Sequence, residues 1–174
     1  NETPDDIFDA MMQVNYFGTV NVTRAFLPHL LKQGTGHVVN VSSILGFMGI
    51  YGYTAYAASK HAVVGFSDCL RQELLGTDIG LTVVFPPDTD TPQLHAENLI
   101  KPPETKAIAG TVDMMSADAV ADCMLKAVAR GQYQVVPGAM GKLTHVAYRY
   151  APWLVRAIAD SSLLKYRRQS ANTP

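Results

Sequence analysis

Residues 34–43, Gly-Thr-Gly-His-Val-Val-Asn-Val-Ser-Ser, decide the fold class of this chain. The first three residues are a turn signal. The next five residues, 37–41, form a short apolar run rich in β-branched side chains, as in a strand buried within a parallel sheet. Ser42 and Ser43 then fall at the carboxyl end of that strand, where open α/β sheets bind their ligands. The stretch therefore predicts a parallel α/β sheet with hydroxyl groups at its binding edge.

The segment Tyr56-Ala-Ala-Ser-Lys60 places a phenol and an ammonium four residues apart. On a helix such residues share a face, so the Lys60 ammonium can lie beside the Tyr56 hydroxyl. A cation about 4 Å away, at an effective dielectric of about 20, favours the phenolate by roughly 4 kcal/mol, or about three pKa units before desolvation. The pairing therefore predicts that Tyr56 exchanges protons near neutral pH. This spacing also occurs by chance on many helices, and the serines at the strand end are what favour a site.

Helices and strands alternate along the rest of the chain. Apolar periodicity, capping residues and glycine stops predict helices over about 4–32, 54–75 and 117–129, and strands over 81–85 and 133–136. This alternation is typical of an α/β domain with a parallel sheet.

Two segments lie outside that alternation. Residues 88–115 are too long for a simple connection and predict a lid or substrate loop with enough apolar side chains to cover an alkyl chain. Residues 142–174 mix apolar and basic side chains, and no apolar run reaches the ~20 residues that a membrane-spanning helix requires. The sequence leaves two interpretations of this tail open: an amphipathic extension on a membrane surface, or a stripe packed over the substrate pocket or a partner subunit.

Charge and composition narrow the function classes. The 174 residues carry a net charge of -1, with 17% charged and 48% hydrophobic residues, which gives no support to nucleic acid binding. The five histidines lack ligand spacing, and the two cysteines form no pair. Asp88 and Asp90 fit turn-forming carboxylates better than a metal pair. No metal site is expected.

Taken together, these motifs resemble the short-chain dehydrogenase/reductases, through Asn-Val-Ser-Ser43, the glycines that follow it, and Tyr56-Ala-Ala-Ser-Lys60. The family's spacing of serine thirteen residues before tyrosine selects Ser43, not Ser42, as the catalytic serine. The resemblance implies that Tyr56 gives a proton to a ketone oxygen and that Ser43 hydrogen-bonds that oxygen. It also implies that Lys60 lowers the Tyr56 pKa and holds the nicotinamide ribose, and that Asn15 completes a tetrad by supporting a water-linked proton path.

A further motif, Pro86-Pro-Asp-Thr-Asp-Thr91, is similar to the Pro-Gly-x-Val-x-Thr segment with which the family contacts the nicotinamide carboxamide. Pro87 replaces the usual glycine, and Thr89 replaces the usual valine. The cofactor-binding residues that the resemblance implies are Tyr56, Lys60, Pro86, Pro87, Thr89 and Thr91.

The implied fold is a Rossmann-type doubly wound parallel sheet, but an incomplete one. Neither Gly-x-x-x-Gly-x-Gly nor Gly-x-Gly-x-x-Gly occurs in the sequence, so the first strands and their Gly-rich turn are missing. We therefore expect the carboxyl-terminal portion of a longer protein. Residues 1–141 are expected to form the catalytic half of a reductase domain, including the substrate loop 88–115, and residues 142–174 an amphipathic extension.

The string from Pro86 to Pro92, with Glu97-Asn98 and Lys101-Pro-Pro-Glu-Thr105, resembles a narrower group, the 3-ketodihydrosphingosine reductases; Gln93 departs from the group's glycine. This resemblance implies NADP(H)-dependent reduction of a long-chain lipid ketone such as 3-ketosphinganine, with NAD(H) left open because the selecting segment is absent.

The same resemblance predicts a hydrophobic ketone or alcohol as the substrate and a homo-oligomer. It also predicts a cytoplasmic protein, or one on the cytoplasmic face of a membrane (the endoplasmic reticulum in a eukaryote), with possible peripheral membrane association. Two alternatives stay open: a short-chain dehydrogenase for a steroid or another hydrophobic alcohol, and a non-catalytic nucleotide-binding sensor or scaffold.

Overall fold

The structure, a computed structural model, describes residues 3–109 and 114–171. The chain begins with a long helical run. Helix α1 (Asp5–Met11) passes into a π-helical segment (Met12–Phe17) and then into α2 (Gly18–Gln33). Gly34, in a left-handed conformation with φ of 80°, ends the run, and its backbone N–H donates to carbonyl groups of the last turn. One continuous helix was expected here, so the π-helical segment is a difference from the prediction.

Within the described residues, three parallel strands form the main sheet in the order β1-β2-β5, with β1 over Gly36–Val41, β2 over Ile79–Val84 and β5 over Gln134–Val135. Helix α3 (Thr54–Glu73) connects β1 to β2, and α6 (Ala117–Ala129) precedes β5. The predicted α/β class with a parallel sheet is confirmed.

The register of β1 and β2 positions the site. Val41 pairs with Val84, so the two strands end side by side and the loops that follow them leave the sheet at the same edge. The backbone N–H of Ser42 donates to the Val84 carbonyl at 2.8 Å, and that of Ile44 to the Pro86 carbonyl at 3.1 Å. The two loops are therefore bonded to each other where ligands bind in this class of sheet.

The core lies between α3 and the sheet. Its buried members come from the end of α3, from β2 and from the residues just after β2 and β5: Leu70, Leu74, Ile79, Leu81, Val83, Phe85 and Val136. Burial of each large apolar side chain contributes about 1.5–3 kcal/mol. This core fixes α3, and with it the Tyr56–Lys60 face, against the carboxyl end of β1.

The segment predicted as a lid has its own secondary structure. It contains β3 (Thr89–Asp90), α4 (Pro92–Ile100), α5 (Pro103–Ala109) and β4 (Met115–Ser116), and β3 pairs with β4 in parallel. Residues 110–113 of the predicted loop lie outside the described residues. We call α4 and α5 the lid helices.

Two helices follow the sheet. Helix α7 (Ala139–Tyr150) already begins before residue 142, where the extension was expected to start, and α8 (Pro152–Ala171) contacts both α7 and α5. Much of the apolar surface of these helices is exposed, for example at Tyr150 and Trp153. Among the described residues, none of the helices combines the length and the hydropathy needed to cross a membrane.

Candidate active site

The two serines at the end of β1 have different surroundings. Ser42 is buried, and its Oγ donates to the backbone carbonyl of Lys60 at 3.0 Å. Ser43 begins a single 3-10 turn, where its Oγ accepts a hydrogen bond from the backbone N–H of Leu45 at 3.1 Å. Hydrogen bonding from the Ser43 side chain also lowers the pKa of the Tyr56 hydroxyl. Ser42 therefore joins α3 to β1, whereas Ser43 lies at the reactive end of Tyr56.

Lys60 lies beside the ring of Tyr56. Its Nζ is 5.6 Å from the ring centroid and donates a hydrogen bond to the Val41 carbonyl oxygen at 3.1 Å. Burial lowers the pKa of the Lys60 ammonium. The structure thus brings Ser43, Tyr56 and Lys60 together at the carboxyl end of β1.

The pKa of Tyr56 is raised above that of a free tyrosine. Burial of the phenol is the largest cause, the negative charges of Glu97 and Asp88 act in the same direction, and the hydrogen bond from Ser43 opposes them. The expected lowering of this pKa by Lys60 is therefore wrong for this structure. The Lys60 ammonium lies over the ring and bonds to a backbone carbonyl, so it does not offset the burial of the hydroxyl.

Asn15 lies within the π-helical segment. Its side-chain Nδ2 donates to Ser59 Oγ at 3.0 Å, and its backbone carbonyl accepts a hydrogen bond from the Thr19 hydroxyl at 2.8 Å. Ser59 directly precedes Lys60, so Asn15 joins the first helical run to the helix that carries Tyr56. The π-helix is rare and occurs frequently at functional sites. The water-linked proton path through Asn15 stays a prediction.

The predicted nicotinamide-contacting residues lie in the loop after β2. The Thr89 hydroxyl donates to the Pro87 carbonyl at 2.9 Å, and the Thr91 hydroxyl donates to the Thr89 carbonyl at 3.2 Å. Thr91 also caps α4 by accepting a backbone N–H at 3.3 Å. Pro86 bonds to the loop after β1. The loop is therefore held at the same sheet edge as Ser43, and its role in cofactor binding stays a prediction.

Sequence reasoning missed a polar network beside this site. The Tyr53 hydroxyl donates to Glu97, and the Lys101 ammonium lies 3.5 Å from Glu97 Oε1 and 3.7 Å from Asp88 Oδ2. The Lys101 side chain is only 5% exposed. The spacing of Glu97 and Lys101, four residues apart on a helix, was the available sequence signal. Asp88 is more than a turn-forming residue, because it pairs with this buried ammonium.

Side chains that could bind a metal ion do not form a cluster in the part of the chain that the structure describes. No three His, Cys, Asp or Glu side chains come together there in a way that could hold a metal ion.

A parallel sheet with a hydroxyl, a phenol and an ammonium at one strand end places the chain among Rossmann-type α/β proteins. Residues 1–102 match the family model described as short chain dehydrogenase. The chain belongs to the short-chain dehydrogenase family.

Curated proteins similar to this chain include sphingoid-base reductases by name. A 3-ketodihydrosphingosine reductase of Dictyostelium discoideum is 40% identical over 147 residues, which cover 83% of this chain and 44% of that protein. A 3-dehydrosphinganine reductase of Danio rerio is 40% identical over 132 residues, 76% of this chain and 40% of that protein. The chain thus spans less than half the length of these relatives. Both resemblances found in the sequence are confirmed at the level of similarity.

Among solved structures, a short chain dehydrogenase from Burkholderia cenocepacia J2315, in complex with NADP, has a similar fold. Its TM-score is 0.74 at 29% identity, covering 90% of this chain and 60% of that one. Like the curated relatives, this structure extends well beyond the part of the fold that the chain contains.

Proposed function

We propose that the protein to which this chain belongs uses NADP(H) to reduce the ketone of a long-chain lipid, 3-ketosphinganine in the first place, to the alcohol sphinganine. The observation that carries the proposal is the meeting of Ser43, Tyr56 and Lys60 at the carboxyl end of β1. The choice of lipid is supported by the names of the relatives that are 40% identical over most of the chain.

The donor groups at this edge fit the nicotinamide end of the cofactor. An ammonium carries three donors, and within the described residues Lys60 spends one of them on the Val41 carbonyl, which leaves N–H groups for ribose hydroxyls. By family resemblance, Pro86, Pro87, Thr89 and Thr91 would hold the carboxamide. When bound, NADP(H) supplies the hydride that reduces the ketone carbon.

The residues of this chain would supply the proton and stabilise the charge that develops on the ketone oxygen. Tyr56 is protonated at neutral pH, as tyrosine ordinarily is, so it is in the acid form that ketone reduction needs. Ser43, whose side chain acts on the same hydroxyl, would donate to the ketone oxygen as negative charge develops on it. The proton of Tyr56 would then pass to the same oxygen and complete the alcohol.

A half-open, largely apolar pocket lies near this site. It has a volume of about 210 Å³, is bounded by the start of α3, by α5 and by α8, and is lined by Ile50, Tyr53, Ile108 and Leu163 together with the carboxylate of Asp160. Its position beside Tyr53, the neighbour of Tyr56, supports a hydrophobic substrate.

The decisive assay measures product. The full-length protein is incubated with NADPH and 3-ketosphinganine, and sphinganine is identified by mass spectrometry, with a ketosteroid in a parallel reaction. We expect sphinganine to form and the ketosteroid to react poorly. Reduction of the steroid alone would replace the lipid with the steroid alternative. Cofactor binding without reduction of any ketone would favour the nucleotide-binding sensor.

Where the protein acts is a separate proposal. Exposed aromatic residues at Tyr150 and Trp153 and basic side chains at Arg149 and Arg156 support peripheral contact of α7 and α8 with a membrane surface. A cytoplasmic location and a homo-oligomer also stay predictions.

A further inference from the structure

A polar cluster at the end of α4 contacts both the loop after β2, at Asp88, and the start of the catalytic helix, at Tyr53. Lys101, at the end of α4, keeps its ammonium almost out of solvent and between the carboxylates of Glu97 and Asp88. A buried ammonium is costly unless charged partners surround it, and because Glu97 lies on the same helix as Lys101, Asp88 is the partner that depends on the position of the lid. The Lys101 ammonium also lies over the ring of Tyr53, 5.8 Å from its centroid.

Tyr53 connects this cluster to the catalytic tyrosine. Its hydroxyl donates to Glu97 on α4, while its ring packs against the ring of Tyr56 with centroids 5.9 Å apart. The lid is held at a second point close by, where the fully buried Thr105 of α5 donates to the carbonyl of Tyr51 at 3.0 Å. Both contacts attach to the segment that leads directly into α3.

We propose that Glu97 is a positioning residue for the ketone reduction proposed above: through its bond to Tyr53 it holds α4 against the start of α3, where the Tyr53 ring packs on Tyr56. This inference rests on the proposed function for its role in the reaction. The network itself stands on the contacts of Glu97 with Tyr53 and Lys101.

The arrangement links the position of the lid to the proton on Tyr56. The groups around this phenol are Ser43 from the loop after β1, Lys60 over the ring from α3, Tyr53 against the ring at the start of α3, Asp88 from the loop after β2, and Glu97 from α4. Glu97 and Asp88 raise the pKa of Tyr56, so a seated lid keeps Tyr56 in its acid form. A lifted lid would remove the Glu97 charge and make that proton easier to lose.

The test compares Glu97→Gln with Glu104→Gln in the full-length protein. Glutamine keeps the shape of the side chain and an oxygen that can accept from Tyr53, but it removes the charge. Glu104 lies in α5 and is the matched control on the lid. The first readout is the pH dependence of NADPH-driven reduction, measured with 3-ketosphinganine and with a ketosteroid.

The second readout needs no substrate. Phenolate absorbance is followed in a stopped-flow jump to alkaline pH, before the protein unfolds, and the signal of Tyr56→Phe is subtracted to isolate Tyr56 from the other tyrosines. Because loss of a nearby negative charge favours the phenolate, Glu97→Gln should ionise Tyr56 at lower pH than wild type and move the alkaline fall in reduction to lower pH. Tyr53→Phe removes the bond that holds Glu97 at the start of α3, so the carboxylate should move away from Tyr56. The ionisation of Tyr56 and the alkaline fall in reduction should then both move to lower pH.

These readouts separate the inference from the function on which it rests. If wild type reduces neither ketone, the proposed function fails, while the ionisation of Tyr56 still decides the role of Glu97. A Tyr56 that ionises at the same pH in folded wild type and Glu97→Gln would overturn the inference, whatever the substrate. An equal shift in Glu104→Gln would do so too, because the effect would then belong to the general charge of the lid.

Discussion

Tyr56 keeps its proton more firmly than an exposed tyrosine, because burial and the charges of Glu97 and Asp88 disfavour the phenolate. Tyr56→Phe removes only the hydroxyl and keeps the ring that packs against Tyr53. We expect turnover to be lost, by at least the 10²–10⁴-fold typical of a general acid, with cofactor affinity and melting temperature nearly unchanged. Steady-state kinetics and cofactor titration check this. Substantial reduction by the purified variant would remove Tyr56 from the role of proton donor.

Ser43→Ala should weaken the stabilisation of the ketone oxygen during reduction and should change the pH dependence of the rate. Loss of a donor to a developing oxyanion costs about 2.7–4 kcal/mol, or roughly 10²–10³ in kcat. The Ser43 hydrogen bond lowers the pKa of Tyr56, so its removal should raise that pKa further and move the alkaline fall in reduction to higher pH.

The matched control for this prediction is Ser42→Ala. Ser42 donates to the Lys60 carbonyl and has no contact with the Tyr56 hydroxyl among those described. Its loss removes one hydrogen bond between β1 and α3 and should cost about 0.5–1.5 kcal/mol of stability, without moving the pH profile. A pH profile that responds to Ser42 and not to Ser43 would reverse the assignment of the two serines.

At the scale of single residues, the sequence identified the side chains of the candidate site but not the direction in which the pKa of Tyr56 shifts. Ser43, Tyr56 and Lys60 could be found because each follows a local pattern, a strand end or a helical spacing of four. The pKa of Tyr56 was predicted in the wrong direction because burial and the Glu97 carboxylate depend on how distant segments pack. No local pattern contains that information.

At the scale of elements, the contact between β1 and α3 depends on the absence of a side chain at Gly46. A Cβ there would lie 2.1 Å from Ser42 Oγ and 3.2 Å from the Lys60 carbonyl oxygen. Gly46→Ala should therefore displace the Ser42 hydroxyl, break its bond to Lys60, and cost about 1–3 kcal/mol together with part of the activity. Thermal unfolding and kcat measure the two effects.

Gly49→Ala is the matched control for Gly46→Ala. A Cβ at Gly49 meets no described heavy atom within 4 Å. The variant should keep the stability and the rate of wild type. Equal losses in both variants would show that flexibility of the glycine-rich crossing, and not close packing at Gly46, is what the site requires.

The elements themselves were largely predictable. The strand expected over 37–41 is observed as Gly36–Val41, and Ser116 caps α6 as its hydroxyl and position indicate. The π-helical segment around Asn15 was not predicted, because the apolar periodicity of a helix does not reveal one extra residue in a turn. The bond from Asn15 to Ser59 depends on tertiary contact between two helices, which a local pattern cannot report.

At the scale of the whole molecule, α/β alternation predicted a parallel sheet, but the order β1-β2-β5 had to come from the structure. The tail was left between a membrane surface and a packed stripe. In the structure α8 contacts α5 of the lid while much apolar surface of α7 and α8 stays exposed, so the helical tail covers part of the lid and still presents an apolar face. The amphipathic pattern of residues 142–174 indicated helices in the tail, but it could not indicate which other elements these helices contact.

The most direct test of the central claim is a series of 3-keto sphingoid bases of increasing chain length, with kcat/KM measured for the full-length protein and NADPH beside a ketosteroid. Each methylene buried in an apolar groove contributes about 0.8 kcal/mol, or roughly fourfold in kcat/KM. We predict a steep rise with chain length until the groove is filled, and poor reduction of short water-soluble ketones. A flat response to chain length, or a clear preference for the steroid, would contradict the assignment of a long-chain lipid ketone.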